Sequence, residues 1–261
     1  MCKQGQGVKI SVVTVTRNSA GSLPEALRSV AQQSYSEIEH IVIDGASTDN
    51  TSEVMSLYGG HVNRFISEPD LGIYDAMNKG LRSVTGDVVG FLNADDRYAD
   101  PQVLARVVET MEAENLDILF GDVAFFRGDD SGAIIRRYRS DRFQPSLLSW
   151  GWMPAHPAFF MRREIYERIG AFKTDYKIAG DFEMMIRIFQ NKNLKFKHIP
   201  EVFVLMRTGG VSNAGWKNMC TLNIEVLRAC RDNNIATNIF KILSKYPLKL
   251  LEYVTNRNDK R

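Results

Sequence analysis

The first half of the chain alternates short apolar segments with amphipathic ones, and this alternation constrains the fold more than any other feature. A short apolar run rich in β-branched residues predicts a buried strand, whereas apolar residues at helical spacing predict a helix. Repeated strand–helix units fold as right-handed crossovers in a parallel sheet that is covered on both faces. The four predicted strands lie in "VKISVVTVT", "EHIVID", "RFISE" and "DVVGFL".

After Leu116 the pattern changes to longer predicted strands with fewer helices between them. From Trp216 onward the sequence is helical in character. No internal repeat or low-complexity tract interrupts the chain. We therefore predict an N-terminal extension (residues 1–7), one α/β domain (8–214, with halves 8–115 and 116–214) and C-terminal helices (215–261).

Composition excludes several classes of protein. The net charge of +2 gives no argument for nucleic acid as a partner, and the three scattered cysteines match neither a zinc site nor a disulfide framework. No apolar run approaches the roughly 20 residues that span a bilayer, and the first residues lack the apolar stretch of a signal peptide. These features predict a cytoplasmic protein. The Gly-rich phosphate loops of dehydrogenases and P-loop proteins are missing from the sequence.

Polar residues follow each predicted strand of the first half. In an open α/β sheet, ligands bind beyond the carboxyl ends of the parallel strands, so these residues are candidates for a site. The residues at the four strand ends are Thr14, Thr16, Arg17, Asn18, Asp44, Gly45, Ser47, Asp49, Glu68, Asp70, Asn93, Asp95 and Asp96. A cation or ligand donors must offset the repulsion among the acids. Oxygen ligands suit Mg²⁺ or Mn²⁺, which bridge carboxylates to substrate phosphates, so the edge predicts a metal-held nucleotide diphosphate.

Five segments resemble family 2 glycosyltransferases in order and spacing. They are "SVVTVTRN", "VIDGASTDNT", "SEPDLGIYDAMNKGL", "GDVVGFLNADD" and "AGDFEMMIRI", within residues 8–212. The third string is similar to one in the bacterial polysaccharide branch, including colanic-acid-type enzymes. The resemblance implies a GT-A fold, which is an α/β, Rossmann-like mixed sheet flanked by helices, here with a helical C-terminal tail.

The resemblance also implies roles for the acids at the strand ends. Asp95 and Asp96 look like the DxD region, which holds a divalent metal and the ribose, although Asn93 replaces its first carboxylate and brings no charge. Asp44 and Thr14 would contact the nucleoside. The alternative role for Asp44 is an ordinary Asp-Gly turn. The alternative role for Arg17 is that of a structural partner for Asp44.

Asp181, at a predicted helix start, matches the catalytic base of an inverting transfer, with Gly180 in place of the usual Glu. The alternative is a helix cap, and a capping carboxylate has a lowered pKa that makes it a poorer base. Glu183 is the spare acid. We expect Arg187, one turn further, to pair with an acid and hold the helix.

Further candidates come from the loops and from the third helix. Asp75, Asn78 and Lys79 recur within one helical turn and so share a face, with Lys79 a candidate for phosphate contact. The alternative is a solvated helix face. The remaining candidates for the acceptor site and the diphosphate loop are His156, Arg207, Gly209 and Gly210.

The resulting hypothesis is a metal-dependent inverting glycosyltransferase of the hexosyl or N-acetylhexosaminyl class. It would move a sugar from a nucleotide-diphosphate-sugar to a saccharide acceptor, expected to be lipid-linked, in cell-surface polysaccharide synthesis. A basic amphipathic tail with Lys241, Lys245 and Lys249 suits peripheral contact with the inner face of the plasma membrane, or simply a solvated face. The alternatives are a sugar-phosphate nucleotidyltransferase and a non-catalytic nucleotide-sugar-binding subunit.

Overall fold

Strands from both halves of the chain pair in one sheet. The computed structural model describes residues 7–127, 133–209, 215–244 and 246. The strands are β1 (Ile10–Thr16), β2 (Ile38–Asp44), β3 (Arg64–Ser67), β4 (Val88–Phe91), β5 (Asp96–Tyr98), β6 (Ile118–Phe126), β7 (Ile134–Tyr138), β8 (Phe159–Arg162) and β9 (Phe196–Arg207). The helices are α1 (Leu23–Ala31), α2 (Thr51–Tyr58), α3 (Ile73–Ser83), α4 (Val103–Ala113), α5 (Arg163–Ile169), α6 (Gly180–Phe189), α7 (Gly215–Asp232) and α8 (Ile239–Leu243).

The strand order is β3-β2-β1-β4-β8-β6-β9-β5, and β7 pairs with β6. β1 to β4 are mutually parallel, which confirms the prediction for the first half. β8 runs antiparallel to both β4 and β6, so the sheet becomes mixed where the second half joins the first. The carboxyl ends of β1 and β4 therefore lie next to each other at one edge.

Apolar side chains fill both faces of the sheet, which explains why β1 is buried along its whole length. Val13 and Val15 belong to a cluster that includes residues of α3, α6 and α7. Ile10 and Val12 belong to a second cluster with residues of α1 and α4. Neighbouring residues of a strand point to opposite faces, so a strand between two helical layers is apolar throughout.

One strand, β5, is not predicted by the sequence. Asp96 begins this strand, which runs antiparallel to the end of β9 with Asp96 opposite Met206. Three residues with two charges carry no local strand signal. The pairing depends on β9, which lies far away along the chain.

The C-terminal segment is helical in α7 and α8, as predicted. Lys241 lies in α8 with its ammonium 5.3 Å from the centre of the Trp150 ring. Lys245 and Lys249, which complete the predicted basic stripe, lie outside the described residues. Among the helices of the described part of the chain, none is long and apolar enough to cross a bilayer.

Candidate functional site

A cleft of about 700 Å³ opens at the carboxyl ends of β1 and β4. α3 and the ends of β6 and β9 close its sides. The polar residues that line it include Thr16, Arg17, Asn18, Asp70, Asn93, Asp95, Asp96 and Arg207, and the apolar ones include Ile73, Ala76, Phe125 and Met206. The predicted edge of the sheet is therefore a real concavity, of the size of a small-molecule site.

At the end of β1, the cleft is lined by Thr16, Arg17 and Asn18. Thr16 is 5% exposed, and its hydroxyl is buried without a hydrogen-bond partner in the described structure. Asn18 adopts a left-handed conformation (φ 51°), and its side-chain oxygen accepts a hydrogen bond from the backbone N–H of Thr48 at 2.8 Å. Arg17 is exposed and makes no ion pair with any described residue. The Arg17 guanidinium, without an ion pair, and the Thr16 hydroxyl, without a hydrogen bond among the described residues, thus line the same cleft.

At the end of β4, two carboxylates and one amide face the cleft. Asp96 is 2% exposed, and the amide nitrogen of Asn93 donates to its carboxylate at 3.1 Å. Burial, together with the charge of Asp95, raises the pKa of Asp96 to about 8. The side-chain oxygen of Asn93 is buried and accepts no hydrogen bond from the described residues. Burial and the charge of Asp95 thus outweigh the contacts with Asn93 and Arg207 that favour the charged form of Asp96.

Hard oxygen donors of this kind fit Mg²⁺ or Mn²⁺, which the protein would hold together with oxygens of a bound diphosphate and water. The fit rests on the raised pKa of Asp96, because a cation would stabilise the charged carboxylate that burial now disfavours. In the described residues no three His, Cys, Asp or Glu side chains converge on one point. An ion held by Asp95 and Asp96 would therefore need further oxygen ligands, which substrate phosphates and water commonly provide to Mg²⁺.

Arg207 reaches the cleft from the end of β9. Its guanidinium forms an ion pair with Glu25 of α1 at 3.0 Å and lies 5.2 Å from the centre of the Phe126 ring. Gly209 follows with φ 102°, a conformation that favours glycine. Gly210, its predicted neighbour in the diphosphate loop, lies outside the described residues.

The polar residues after β2 and β3 are bound to each other instead. Asp44 is fully buried and accepts hydrogen bonds from the backbone N–H and hydroxyl of Ser47 and from the hydroxyl of Ser67, the last at 2.6 Å. This is the turn role that the sequence left open beside nucleotide contact, and Arg17 is not among these donors. Asp44 does not line the cleft.

Lys79 is likewise committed within the protein. Its ammonium donates to the carbonyl of Pro69 at 2.6 Å and pairs with Glu68 at 3.0 Å and Asp75 at 3.7 Å. These contacts fix the loop between β3 and α3. The side of α3 that meets the cleft carries Ile73 and Ala76.

Two other predicted site residues face the interior. Asn78 donates from its amide to the carbonyl of Phe172 and accepts from the N–H of Phe172, both at 2.8 Å. Thr14 is fully buried, with its hydroxyl 3.0 Å from the Nε2 of His40. The prediction that Thr14 lines the mouth of the site is therefore wrong; Thr16, two residues further on the same strand, lies there.

Asp181 lies in the first turn of α6. Its carboxylate accepts a hydrogen bond from the N–H of Phe182 at 2.8 Å and lies 3.3 Å from the hydroxyl of Tyr74. Burial raises its pKa to about 6, since desolvation outweighs the hydrogen bonds that lower it. Asp181 therefore combines the hydrogen bond from the N–H of Phe182 with a pKa raised by burial, and it is not among the residues that line the cleft.

The glycine before Asp181 has a steric reason. A Cβ atom at Gly180 would lie 2.7 Å from the Tyr74 ring, so no larger residue fits without displacing Tyr74. The Tyr74 hydroxyl also donates to the carbonyl of Ile178 at 2.6 Å. Glycine in place of the usual Glu at position 180 therefore allows the close approach of the Tyr74 ring, which lies next to Asp181.

His156 and Glu183 are both buried away from the cleft. His156 packs against the rings of Phe91 and Phe172, and burial lowers its pKa to about 4, so its imidazole is neutral. Glu183 is fully buried and pairs with Arg187 at 2.9 Å and with Lys173 at 2.8 Å. The predicted ion pair of Arg187 is confirmed, and Glu183 is a structural acid rather than a spare base.

Thr16 and Asp70, which line the cleft, are among the polar strand-end residues that the sequence singles out, but the sequence assigns them no role. Two apolar residues of the lining have no counterpart among the predicted site residues. Phe125 and Met206 reach the cleft only because β6 and β9 end beside β4, for which the sequence carries no local signal.

A sheet with parallel strands β1 to β4 and a polar cleft at their carboxyl ends defines an α/β protein with a candidate ligand site at this edge. The model of the family described as Glycosyl transferase family 2 matches residues 11–170, and the protein belongs to this family. Its sheet has the GT-A fold, as the resemblance implied. The prediction of the colanic-acid-type branch stays a prediction.

Three known proteins illustrate the similarity. A "PGL/p-HBAD biosynthesis glycosyltransferase" of Mycobacterium bovis is 31% identical over 212 residues, which are 78% of each chain. S. aureus TarS 1-349 in complex with UDP-GlcNAc superimposes with a TM-score of 0.64 at 18% identity, over 84% of this chain and 66% of that one. The mannosyltransferase PcManGT from Pyrobaculum calidifontis, in complex with GDP-Man and Mn²⁺, superimposes with a TM-score of 0.62 at 21% identity, over 85% of this chain and 65% of that one. This chain thus spans slightly less than two thirds of the structural neighbours, which show the fold alone.

Proposed function

We propose that the protein transfers a sugar, with inversion, from a nucleotide-diphosphate-sugar to a hydroxyl of a saccharide acceptor. The observation that carries the proposal is the set of unsatisfied groups in the cleft of a family 2 chain. The Thr16 hydroxyl and the Asn93 side-chain oxygen are buried there without hydrogen-bond partners among the described residues, and burial disfavours the charged form of Asp96. A bound donor and its metal would supply those partners.

The donor lies across the ends of β1 and β4 in this proposal. UDP-GlcNAc in the TarS complex and GDP-Man in the PcManGT complex support a nucleotide-sugar as ligand. Arg17 and Arg207 border the cleft and would offset the charge of the diphosphate. Asp44, Glu68, Asp75, Asn78 and Lys79 act behind the cleft, where they fix the loops that form it.

Asp95 and Asp96 would hold Mg²⁺ or Mn²⁺. When bound, such an ion stabilises the charge that develops on the departing nucleoside diphosphate. Asn93 orients the Asp96 carboxylate through its amide nitrogen, and its free side-chain oxygen remains available to a ribose hydroxyl or a water. This division of roles gives Asn93 a function without charge.

Asp181 acts as the general base. The acceptor oxygen forms a bond to the anomeric carbon, the bond to the diphosphate oxygen breaks with its electron pair, and the acceptor proton passes to the Asp181 carboxylate. A base with a pKa near 6 is ionised at neutral pH and remains a useful proton acceptor. The supporting geometry is the enclosure of Asp181 beside Tyr74.

For the acceptor, we propose a lipid-linked saccharide in the synthesis of a cell-surface polysaccharide or glycolipid. The name of the Mycobacterium bovis relative, a glycosyltransferase of PGL/p-HBAD biosynthesis, supports a biosynthetic role. Contact with the inner face of the plasma membrane would bring the enzyme to such an acceptor. Flotation with anionic vesicles, with Lys241, Lys245 and Lys249 changed to Gln as the comparison, tests this part separately.

The test of the function is nucleoside diphosphate release from a panel of UDP-, GDP- and dTDP-sugars with Mn²⁺, with and without acceptor extracts. Asp181→Asn should lower release about 100- to 10,000-fold, the range of a general base, while donor binding measured by thermal shift is retained. No release with any donor would count against the function. Full activity of the Asn variant would overturn the assignment of Asp181 as the base.

A further inference from the structure

The loop that precedes Asp181 is held by a carboxylate from the C-terminal helix α7. Glu225 is 8% exposed and accepts three backbone hydrogen bonds, from Lys177 at 2.8 Å, Ile178 at 2.8 Å and Ala179 at 2.9 Å. These three N–H groups end one residue before α6 begins. One side chain therefore fixes the backbone that leads into the turn carrying Asp181.

The same loop is fixed from its other side by α3. Tyr74 donates to the carbonyl of Ile178 and touches the Asp181 carboxylate. The N–H of Ile178 thus binds Glu225, while its carbonyl binds Tyr74. The peptide segment next to Asp181 is clamped between two helices that lie far apart in the chain.

We infer that Glu225 is a positioning residue for transfer, which sets the place of the Asp181 carboxylate through the backbone of residues 177–179. This inference rests on the proposed function, because it assumes that Asp181 is the base. A carboxylate that accepts three N–H bonds in a buried site holds the backbone rigidly. Loss of these bonds would displace the Asp181 carboxylate, which follows the loop. Glu225 itself touches no reacting atom in this scheme.

The negative charge of Glu225 also acts on Asp181. It favours the protonated form of Asp181 and so raises the pKa of that carboxyl, in the same direction as burial. The groups that face Asp181 are the Tyr74 hydroxyl from α3, the N–H of Phe182 from its own helix and Glu225 from α7. Removal of the charge at position 225 therefore lowers the pKa of Asp181.

The experiment compares Glu225→Gln, Glu225→Asp and Arg228→Ala. The readout is the pH dependence of kcat/KM for nucleoside diphosphate release from the most active donor of the panel with Mn²⁺. The base works when ionised, so the wild-type rate should rise with pH through a midpoint near 6. Arg228→Ala is the matched control, because Arg228 joins α7 to the loop before α6 through Asp175 and the Tyr176 ring, whereas the bonds to residues 177–179 come from Glu225.

In Glu225→Gln, an amide nitrogen replaces one acceptor oxygen. We expect kcat/KM at high pH to fall roughly 10- to 100-fold, with the midpoint shifted to lower pH and donor binding retained. Glu225→Asp keeps the charge, so its midpoint should stay near that of the wild type and its activity should be partly rescued. It also serves as the informative variant if Glu225→Gln does not fold. Arg228→Ala should keep both the midpoint and the rate.

Two results would overturn the inference. One is wild-type activity and midpoint in Glu225→Gln, while Asp181→Asn is inactive. The other is equal loss in Glu225→Gln and Glu225→Asp with no shift of the midpoint, which would indicate a structural role only. An active Asp181→Asn variant would instead refute the proposed base, so failure of the two proposals is distinguishable.

Discussion

The ends of β1 and β4 differ from the ends of β2 and β3 in how their polar side chains are satisfied. At β1 and β4, the Thr16 hydroxyl and the Asn93 oxygen are buried without partners in the described part of the chain, and the pKa of Asp96 is raised. At β2 and β3, Asp44 accepts three hydrogen bonds, and Glu68 is paired with Lys79. Polar groups that have partners build the loops, whereas those without partners mark where a ligand is expected.

Among changes that contrast these two regions, the largest effect should come from Asp95→Ala, which removes a charge at the end of β4. We expect transfer to fall roughly 100- to 1,000-fold, because the charge on the leaving diphosphate loses its stabilisation. The melting temperature should change little, since Asp95 supports no described ion pair. Nucleoside diphosphate release and a thermal scan measure the two quantities. A large drop in melting temperature would show that the two regions do not differ as stated.

Asp44→Ala should lower stability and leave donor binding unchanged, the reverse of Asp95→Ala. The three donors from Ser47 and Ser67 would lose their acceptor in a fully buried turn, which costs about 2–4 kcal/mol of unfolding free energy. Urea unfolding measures this loss. The remaining folded protein should bind donor with an affinity close to that of the wild type. Loss of donor affinity at unchanged stability would instead place Asp44 in the ligand site.

The smallest effect should come from Lys79→Met. Its ammonium bonds to Pro69 and Glu68 are partly solvated, so we expect a loss of about 1 kcal/mol in unfolding free energy and nearly unchanged kcat/KM. Arg17→Met is the matched comparison, because Arg17 lines the cleft and makes no ion pair with a described residue. It should leave stability unchanged and raise the donor KM several-fold. A reversed pattern would exchange the roles of the two cations.

The strands β1 to β4 could be predicted because their signals are local. An apolar β-branched run specifies a buried strand, and four alternations with helices specify a parallel sheet. β5 could not be predicted, because Asp96 becomes part of a strand only by pairing opposite Met206. The choice between Thr14 and Thr16 had the same limit. The sequence predicts strand β1, but which of its residues reaches the cleft depends on where the neighbouring strands end.

The sequence by itself determined the alternating α/β order, the family and the gathering of polar residues at one edge of the sheet. The tertiary structure decided which of those residues are free to act. Ser67 completes the hydrogen bonds of Asp44 that Ser47 begins locally, Phe172 satisfies Asn78, and Glu225 satisfies the loop before Asp181. Each partner is remote along the chain, so hydrogen-bond satisfaction follows from packing and not from the local pattern.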